Sequence, residues 1–288
     1  MTDLAFLGTG LMGTPMARRL VAAGYKLTVW NRSRDKLGSL VAAGAKPAAS
    51  PEDAARGAEI VMMCLADTAA VEEVVFGNSG VAAGIGRGKL LVDFSSIRPD
   101  VTRRFAERLR AERGAGWIDA PVSGGVPGAE QGTLAIMAGG DAAEIERARP
   151  VIRHLCARLT HMGPSGAGQT TKLCNQIIAC CNIAVIAEAI KLAKVAGVDA
   201  ARLPECLKGG FADSIPLQLF GPRMASGKAD PPLGASETML KDLETACDLA
   251  QQTTTALPMT ALAAVLFRLL KLHGHAKDDP STIITLLG

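Results

Sequence analysis

A chain of 288 residues is long for one hydrophobic core and suits two domains. Its 31 Lys and Arg against 28 Asp and Glu leave a net charge of only +3, and two Trp, one Tyr and seven Phe give few stacking platforms, which argues against a nucleic-acid surface. Seven cysteines without C-x-x-C spacing and four histidines without H-x-x-x-H spacing predict reduced, buried thiols and no metal site.

The apolar run Leu4, Ala5, Phe6, Leu7 reads as a buried strand. It starts too early to leave room for a signal peptide, so the expected location is cytoplasmic. Gly8, Gly10 and Gly13 follow in G-x-G-x-x-G spacing, ahead of a helical pattern and a second strand-like run, Leu27 to Trp30. In that context the first glycine makes a tight turn, the second admits a pyrophosphate against the backbone, and the third lets helix and strand pack closely. The helix start offers free N–H groups to an anion. A ribose-binding carboxylate is expected at the end of the second strand, but the chain reads Asn31, Arg32, Ser33. A guanidinium and a hydroxyl suit a 2′-phosphate, which predicts NADP over NAD.

Further strands are expected at 59–65, 90–94, 117–120, 134–138 and 158–161, alternating with helical stretches up to about Gly163. Beyond the breaker cluster at 163–168 the patterns are helical, at 171–195, 202–207, 237–252 and 260–272. The predicted fold class is an α/β Rossmann-type N-terminal domain, residues 1–163, followed by an all-α C-terminal domain, residues 164–288, that begins with a long linking helix. The apolar stretch 173–192 is interrupted by Asn175, Gln176, Asn182, Glu188 and Lys191, so it predicts a buried helix rather than a membrane span.

Two stretches have the makings of a reaction site. Residues 119–129, Asp-Ala-Pro-Val-Ser-Gly-Gly-Val-Pro-Gly-Ala, follow a strand, and Ser123 with the neighbouring amides is suited to a carboxylate; a plain Pro/Gly connection reads equally well. Lys172 stands at the predicted start of the long helix, where the positive dipole end and apolar neighbours both disfavour the ammonium and draw its pKa toward neutrality. It is therefore a candidate acid/base, with Asn175 and Gln176 three and four residues on along the same face. Lys241 and Asp242 on a later amphipathic helix read, by themselves, as a solvated face.

Taken together, FLGTGLMGTPMA, DAPVSGG, GAGQTTKLCNQ and MLKDLETA resemble, in order and spacing, the motifs of the β-hydroxyacid dehydrogenase family over nearly the whole chain. The resemblance implies hydride transfer between a nicotinamide and a small carboxylate-bearing aldehyde or hydroxy acid, with Lys172 as the catalytic acid/base. Ser123, Gly124 and Gly125 would bind the substrate carboxylate, joined by Asn175 and Gln176. Cofactor contacts would fall at Gly8, Gly10, Leu11, Met12, Gly13, Asn31, Arg32, Ser33, Leu65 and Ser96, and at Lys241 and Asp242 in a late segment closing over a site between the domains. Many members carry Asn four residues after the lysine, where this chain has Gln176 behind Asn175. The Asn-Gln pair and GGFADS (209–214) lean toward the tartronate semialdehyde reductase subgroup, with 3-hydroxyisobutyrate or glyoxylate/succinic semialdehyde chemistry as alternatives. The retained lysine argues against imine reductases, and the length against a 6-phosphogluconate dehydrogenase-like decarboxylase. NADP is the expected cofactor with NAD as the alternative, the expected assembly is a homodimer or homotetramer, and a non-catalytic NADP-binding module is the reading from another class.

Overall fold

The structure, a computed structural model, describes residues 2–288. From the N-terminus run β1 (Leu4–Leu7), α1 (Gly13–Ala22), β2 (Leu27–Trp30), α2 (Gly38–Ala42), β3 (Lys46–Pro47), α3 (Pro51–Arg56), β4 (Ile60–Met63), α4 (Thr68–Phe76) and α5 (Val81–Gly84). Next come β5 (Leu90–Asp93), α6 (Pro99–Arg113), β6 (Gly116–Asp119), β7 (Val122–Ser123), α7 (Gly125–Gln131), β8 (Leu134–Gly139), α8 (Ala142–Ile152) and β9 (Cys156–Gly163). The remaining helices are α9 (Ala167–Val195), α10 (Leu203–Leu207), α11 (Ile215–Ser226), α12 (Ser236–Gln252) and α13 (Pro258–Leu272). The chain divides into two compact units after Lys172.

In the first unit the central strands β1 and β4 are apolar throughout because the sheet is covered on both faces there. Along β1, Leu4 and Phe6 enter one buried cluster and Ala5 and Leu7 another; Ile60 and Met62 part from Val61 and Met63 in β4 in the same alternation. Strand order is β3-β2-β1-β4-β5-β6-β8-β7, with β9 on β8. From β3 to β6 every pairing is parallel, and β8 then runs antiparallel to β6. This is a Rossmann-type sheet, whose order reverses between β1 and β4 and so opens a crevice at their C-terminal ends.

The second unit, from Leu173, holds only helices and 3-10 turns among the described residues. Its core gathers Cys180, Ile183, Ala187 and Ile190 of α9 with Leu240 and Leu243 of α12 and Phe267 and Leu270 of α13. By length and composition α9 could cross a membrane.

Several local expectations change. Helix α9 begins at Ala167, not near residue 171, because Gly166 and Gln169 find hydrogen-bond acceptors on the sheet. Lys172 thus lies in the second turn, beyond the reach of the dipole end invoked from sequence. The stretch 119–129 is no plain connection: it forms β7, paired with β8, and enters α7. Helix α11 went unpredicted because Pro216, Gly221 and Pro222 mask its period. Of the seven free thiols only Cys180 is fully buried, while Cys174 and Cys206 are exposed.

Parallel register sets Asp93 of β5 beside Asp119 of β6, and both are fully buried. Asp119 receives N–H groups from α9, yet burial still holds its carboxyl above the usual carboxylate range. Asp93 Oδ1 accepts the Ser95 N–H, while Oδ2 has no partner. Burial, with the Asp119 charge adding to it, pushes Asp93 up to about 7 against two opposing Ser95 hydrogen bonds. Nearby, burial and Asp93 push the Cys64 thiol up to about 12, so it stays neutral.

From the ordinary Asp value of 3.8 to about 7, the folded chain keeps a proton on Asp93 that the unfolded chain has released. Stability therefore falls as pH rises through that window and levels off above it, by a few kcal/mol at most. Urea unfolding should show a lower midpoint at pH 8 than at pH 5 in the wild type, with a smaller difference in Asp93→Asn. Parallel pH dependences in the two proteins would rule out a protonated Asp93.

Candidate active site

The turn after β1 is shaped by what its glycines touch. A Cβ on Gly13 would lie 1.9 Å from the Gly8 carbonyl oxygen, and one on Gly8, where φ is +86°, would lie 2.4 Å from the Cys64 oxygen. Those two glycines are required by the protein itself. At Gly10 a Cβ would meet nothing within 4 Å. The chain's own packing gives no reason for glycine there; a group approaching the backbone from outside does, so the turn fits a dinucleotide pyrophosphate. Beside it Leu11 is 83% exposed, and Met12 is half-buried.

Asn31 braces this turn: its Oδ1 accepts the Thr9 N–H at 3.0 Å and its Nδ2 donates to the Ser33 carbonyl at 2.9 Å. The side chain thus ties the end of β2 to the glycine turn, while Arg32 and Ser33 are exposed. A cleft of about 740 Å³ is lined by Thr9, Gly10, Thr14, Arg18, Lys36 and Ser39 among others. Arg18 and Lys36 give it cationic character suited to phosphates. Sequence reasoning missed both residues; for Arg18 the signal was a basic side chain about one helical turn past the glycine motif, and for Lys36 there was none.

Across the switch point, the Leu65 N–H donates to Ser95 Oγ at 2.9 Å, fixing the turn after β4 to the turn that holds half-buried Ser96. Ser123 lies in β7 opposite Ala135, and its hydroxyl has no hydrogen-bond partner among the described residues. Gly124 and Gly125 follow with φ of +131° and +61°, conformations that ordinary residues rarely adopt. An open hydroxyl beside two exposed glycines is chemically suited to a carboxylate. Lys172, half-buried, completes the candidate groups of the first unit.

The second unit brings four sequence-predicted residues together. Asn175 Nδ2 donates to Gln176 Oε1 at 2.9 Å, Gln176 Nε2 donates to Asp242 Oδ2 at 2.8 Å, and Lys241 Nζ stands 3.4 Å from Asp242 Oδ1. Asp242 is 4% exposed. The solvated face read for Lys241 and Asp242 is therefore a buried carboxylate engaged by an amide and an ammonium. Unnoticed from sequence were the roles of Asp93, Asp119 and Gln169; the one available signal was an Asp ending a fully apolar strand, in LLVD and GWID.

Residues 3–163 match the model of the NAD binding domain of 6-phosphogluconate dehydrogenase, and residues 166–287 match that of the NAD-binding region of NADP-dependent 3-hydroxyisobutyrate dehydrogenase. The chain is 40% identical over 286 residues to 2-hydroxy-3-oxopropionate reductase of Escherichia coli (strain K12), covering 99% of this chain and 96% of that protein. It is 37% identical over 289 residues to the NAD-dependent L-serine dehydrogenase of Pseudomonas aeruginosa, covering 98% and 97%. Its structure resembles that of Mycobacterium tuberculosis 3-hydroxyisobutyrate dehydrogenase with L-serine, at a TM-score of 0.90, 31% identity, and coverage of 100% and 99%.

The two kinds of glycine separate by mutation. Gly13→Ala forces a methyl into a backbone oxygen and should cost about 1–3 kcal/mol of stability or more. Gly10→Ala should leave the thermal midpoint nearly unchanged and weaken cofactor binding at least tenfold, about 1.4 kcal/mol. Thermal unfolding and dinucleotide titration of both variants check this, and a Gly10→Ala protein that binds normally would refute the approach argument.

Proposed function

We propose a reaction for this chain, which belongs to the β-hydroxyacid dehydrogenase family of NAD(P)-dependent oxidoreductases acting on CH–OH groups. The reaction interconverts a small semialdehyde acid and its hydroxy acid, with tartronate semialdehyde (2-hydroxy-3-oxopropionate) as the preferred substrate and NADPH as the preferred reductant. The observation that carries the reading is the pairing, in one compact unit, of the open Gly10 turn with the Ser123–Gly124–Gly125 segment and Lys172. The relation to the Escherichia coli reductase supports the choice of substrate. L-Serine and 3-hydroxyisobutyrate are the rival substrates, favoured by the two other relatives.

The turn formed by Gly8, Gly10, Leu11, Met12 and Gly13 would hold the pyrophosphate, with Gly10 as the point of close approach, Arg32 and Ser33 would hold the 2′-phosphate, and Leu65 and Ser96 would be further cofactor contacts. Asn31 acts by keeping the glycine turn in place. When bound, the reduced nicotinamide supplies hydride to the aldehyde carbon. Ser123 with the Gly124 and Gly125 amides holds the substrate carboxylate, which fixes the carbonyl. Lys172 Nζ, as ammonium, gives a proton to the carbonyl oxygen; in the reverse direction the neutral amine takes the hydroxyl proton. Asn175 and Gln176, on the same helix, bind the substrate's polar end, and Lys241 and Asp242 are cofactor contacts. The protein works in the cytoplasm as a homodimer or homotetramer. Supporting the assembly, Ile178, Val185 and Leu192 of α9 and Met259, Leu262, Val265, Leu269 and Leu272 of α13 form exposed apolar rows.

Lys172→Ala should lower kcat by about 100-fold to 10,000-fold with NADPH affinity and folding nearly intact, and Lys172→Arg should not restore it because a guanidinium does not release its proton near neutral pH. A near-normal kcat in the alanine variant would remove the lysine from the chemistry. The same assay run over tartronate semialdehyde, L-serine, 3-hydroxyisobutyrate and amide analogues ranks the substrates; amides turned over as well as acids would sink the carboxylate role of residues 123–125.

The ratio of kcat/KM for NADPH to that for NADH should exceed one, and Arg32→Ala should shrink it by weakening NADPH alone. Equal or better use of NADH by the wild type would overturn the assignment of Arg32 and Ser33.

A further inference from the structure

Gln169 is 1% exposed, and both ends of its side-chain amide are engaged with one distant turn. Its Oε1 accepts the Ile97 N–H at 3.2 Å, and its Nε2 donates to the Ser95 carbonyl at 2.8 Å. Those two backbone groups flank Ser96. The same residue's backbone N–H donates to Asp119 Oδ2 at 2.9 Å, and the Gly166 N–H fills Asp119 Oδ1 at 2.8 Å. Asp119 closes β6, four residues before Ser123. Ser95 is itself pinned, through its N–H to Asp93 Oδ1 at 2.8 Å and through its Oγ to the Leu65 N–H. One glutamine therefore fastens the first turns of α9 to the turn between β5 and α6 and, through Asp119, to the strand that leads into the Ser123 segment.

Lys172 follows Gln169 by three positions, so the two share a face of α9 on adjacent turns. The fastening needs a group that both donates and accepts. Only a group with an acceptor and a donor in one plane answers an N–H and a carbonyl oxygen two residues apart. Methionine answers neither, and a carboxylate sets a negative oxygen against the Ser95 carbonyl.

We propose that Gln169 is a positioning residue for the reaction: it holds the turn bearing Lys172 in register with the turn bearing Ser96, so that proton donor and hydride donor meet the same carbonyl. This rests on the assignment of Lys172 as the acid and goes beyond it by naming what aims the lysine. A misplacement of about 1 Å costs on the order of 100-fold in rate. Gln169→Met should lose about 10-fold to 100-fold in kcat, with substrate KM and NADPH affinity changed by less than about threefold. With NADPH deuterated at the transferred position, the isotope effect on kcat should rise, since looser aim makes hydride transfer more rate-limiting.

Gln169→Glu supplies the readout that a purely structural tie would not move. A protonated glutamic acid donates to the Ser95 carbonyl and accepts from Ile97, as glutamine does, whereas the ionised form cannot donate. Buried there, it holds its proton to higher pH than an exposed glutamate. The ratio of variant to wild-type kcat should therefore be highest at pH 6 and fall by at least about threefold toward pH 8.5, with each protein folded by circular dichroism at both pH values.

If Gln169→Met does not fold, that ratio alone carries the test. A ratio flat with pH, or a loss of activity that only tracks the folded fraction, overturns the proposal. Lys172→Ala, assayed alongside, separates the two readings. A dead Lys172→Ala with normal Gln169 variants defeats this inference alone; a near-normal Lys172→Ala defeats the lysine's role and this inference with it.

Discussion

Two backbone N–H groups at the start of α9 end on one carboxylate at the end of β6, and the placement of Lys172 depends on that clamp. Asp119 is fully buried, at a cost that its hydrogen bonds must offset. It does for α9 what an N-cap side chain does, but from a strand 47 residues earlier. A local cap such as Ser214, which accepts the Leu217 N–H, fixes only where a helix begins. A cap supplied by a strand also fixes where the helix begins relative to the sheet. The close fit is visible in Gly168, where a Cβ would lie 2.4 Å from the Met137 oxygen and 2.6 Å from the Asp119 oxygen.

Asp93 and Asp119, adjacent in register, divide the burden of two buried acids. Asp119 has several N–H donors, which favour its ionised form; Asp93 has one such contact and an unpartnered oxygen, and burial favours its proton up to about 7. Neighbouring carboxyl groups with unequal donors are driven apart in this way. Burial that keeps a proton on Asp93 to higher pH lessens the like charge beside Asp119, whose N–H donors work against the burial that raises it. The network from Asp93 through Ser95 to Gln169 and Asp119 is continuous in hydrogen bonds, all within the first unit.

Local pattern in the sequence reported local structure well. LAFL, the glycine spacing and LTVW are strand, turn, helix and strand because each is set by residues within about 25 positions, and the Rossmann-type sheet follows from repeating that unit. What stayed hidden was set at long range or masked by proline and glycine. No periodicity reveals that Gln169 bonds to residues 72 and 74 positions earlier. Nor does composition show that Asn31 spends its amide on Thr9 and Ser33. Lys172 was singled out from sequence by a dipole argument that the start of α9 at Ala167 removes; its family resemblance and its place three residues beyond Gln169 remain. Asp242 read as surface because its helix is amphipathic, yet it falls on the buried face with Leu240 and Leu243.

The helical unit shows why an apolar helix need not be a covered one. In α13, Ala263, Ala264, Phe267 and Leu270 face the core, while Met259, Leu262, Val265, Leu269 and Leu272 are exposed. A helix with apolar residues on more than one side asks for cover beyond the one side that this unit supplies. Fifteen residues at about 1.5 Å each span roughly 22 Å, short of a bilayer's hydrocarbon core of about 30 Å, so α13 is not built to cross one. The exposed row on α9 recurs at Ile178, Val185 and Leu192, every seventh residue, which is the seam spacing of helices that pack against other helices. Such a seam is matched by another helix of the same pattern. That is the physical ground on which the proposed homo-oligomer rests, and it assigns to these rows the cover that the single chain leaves off.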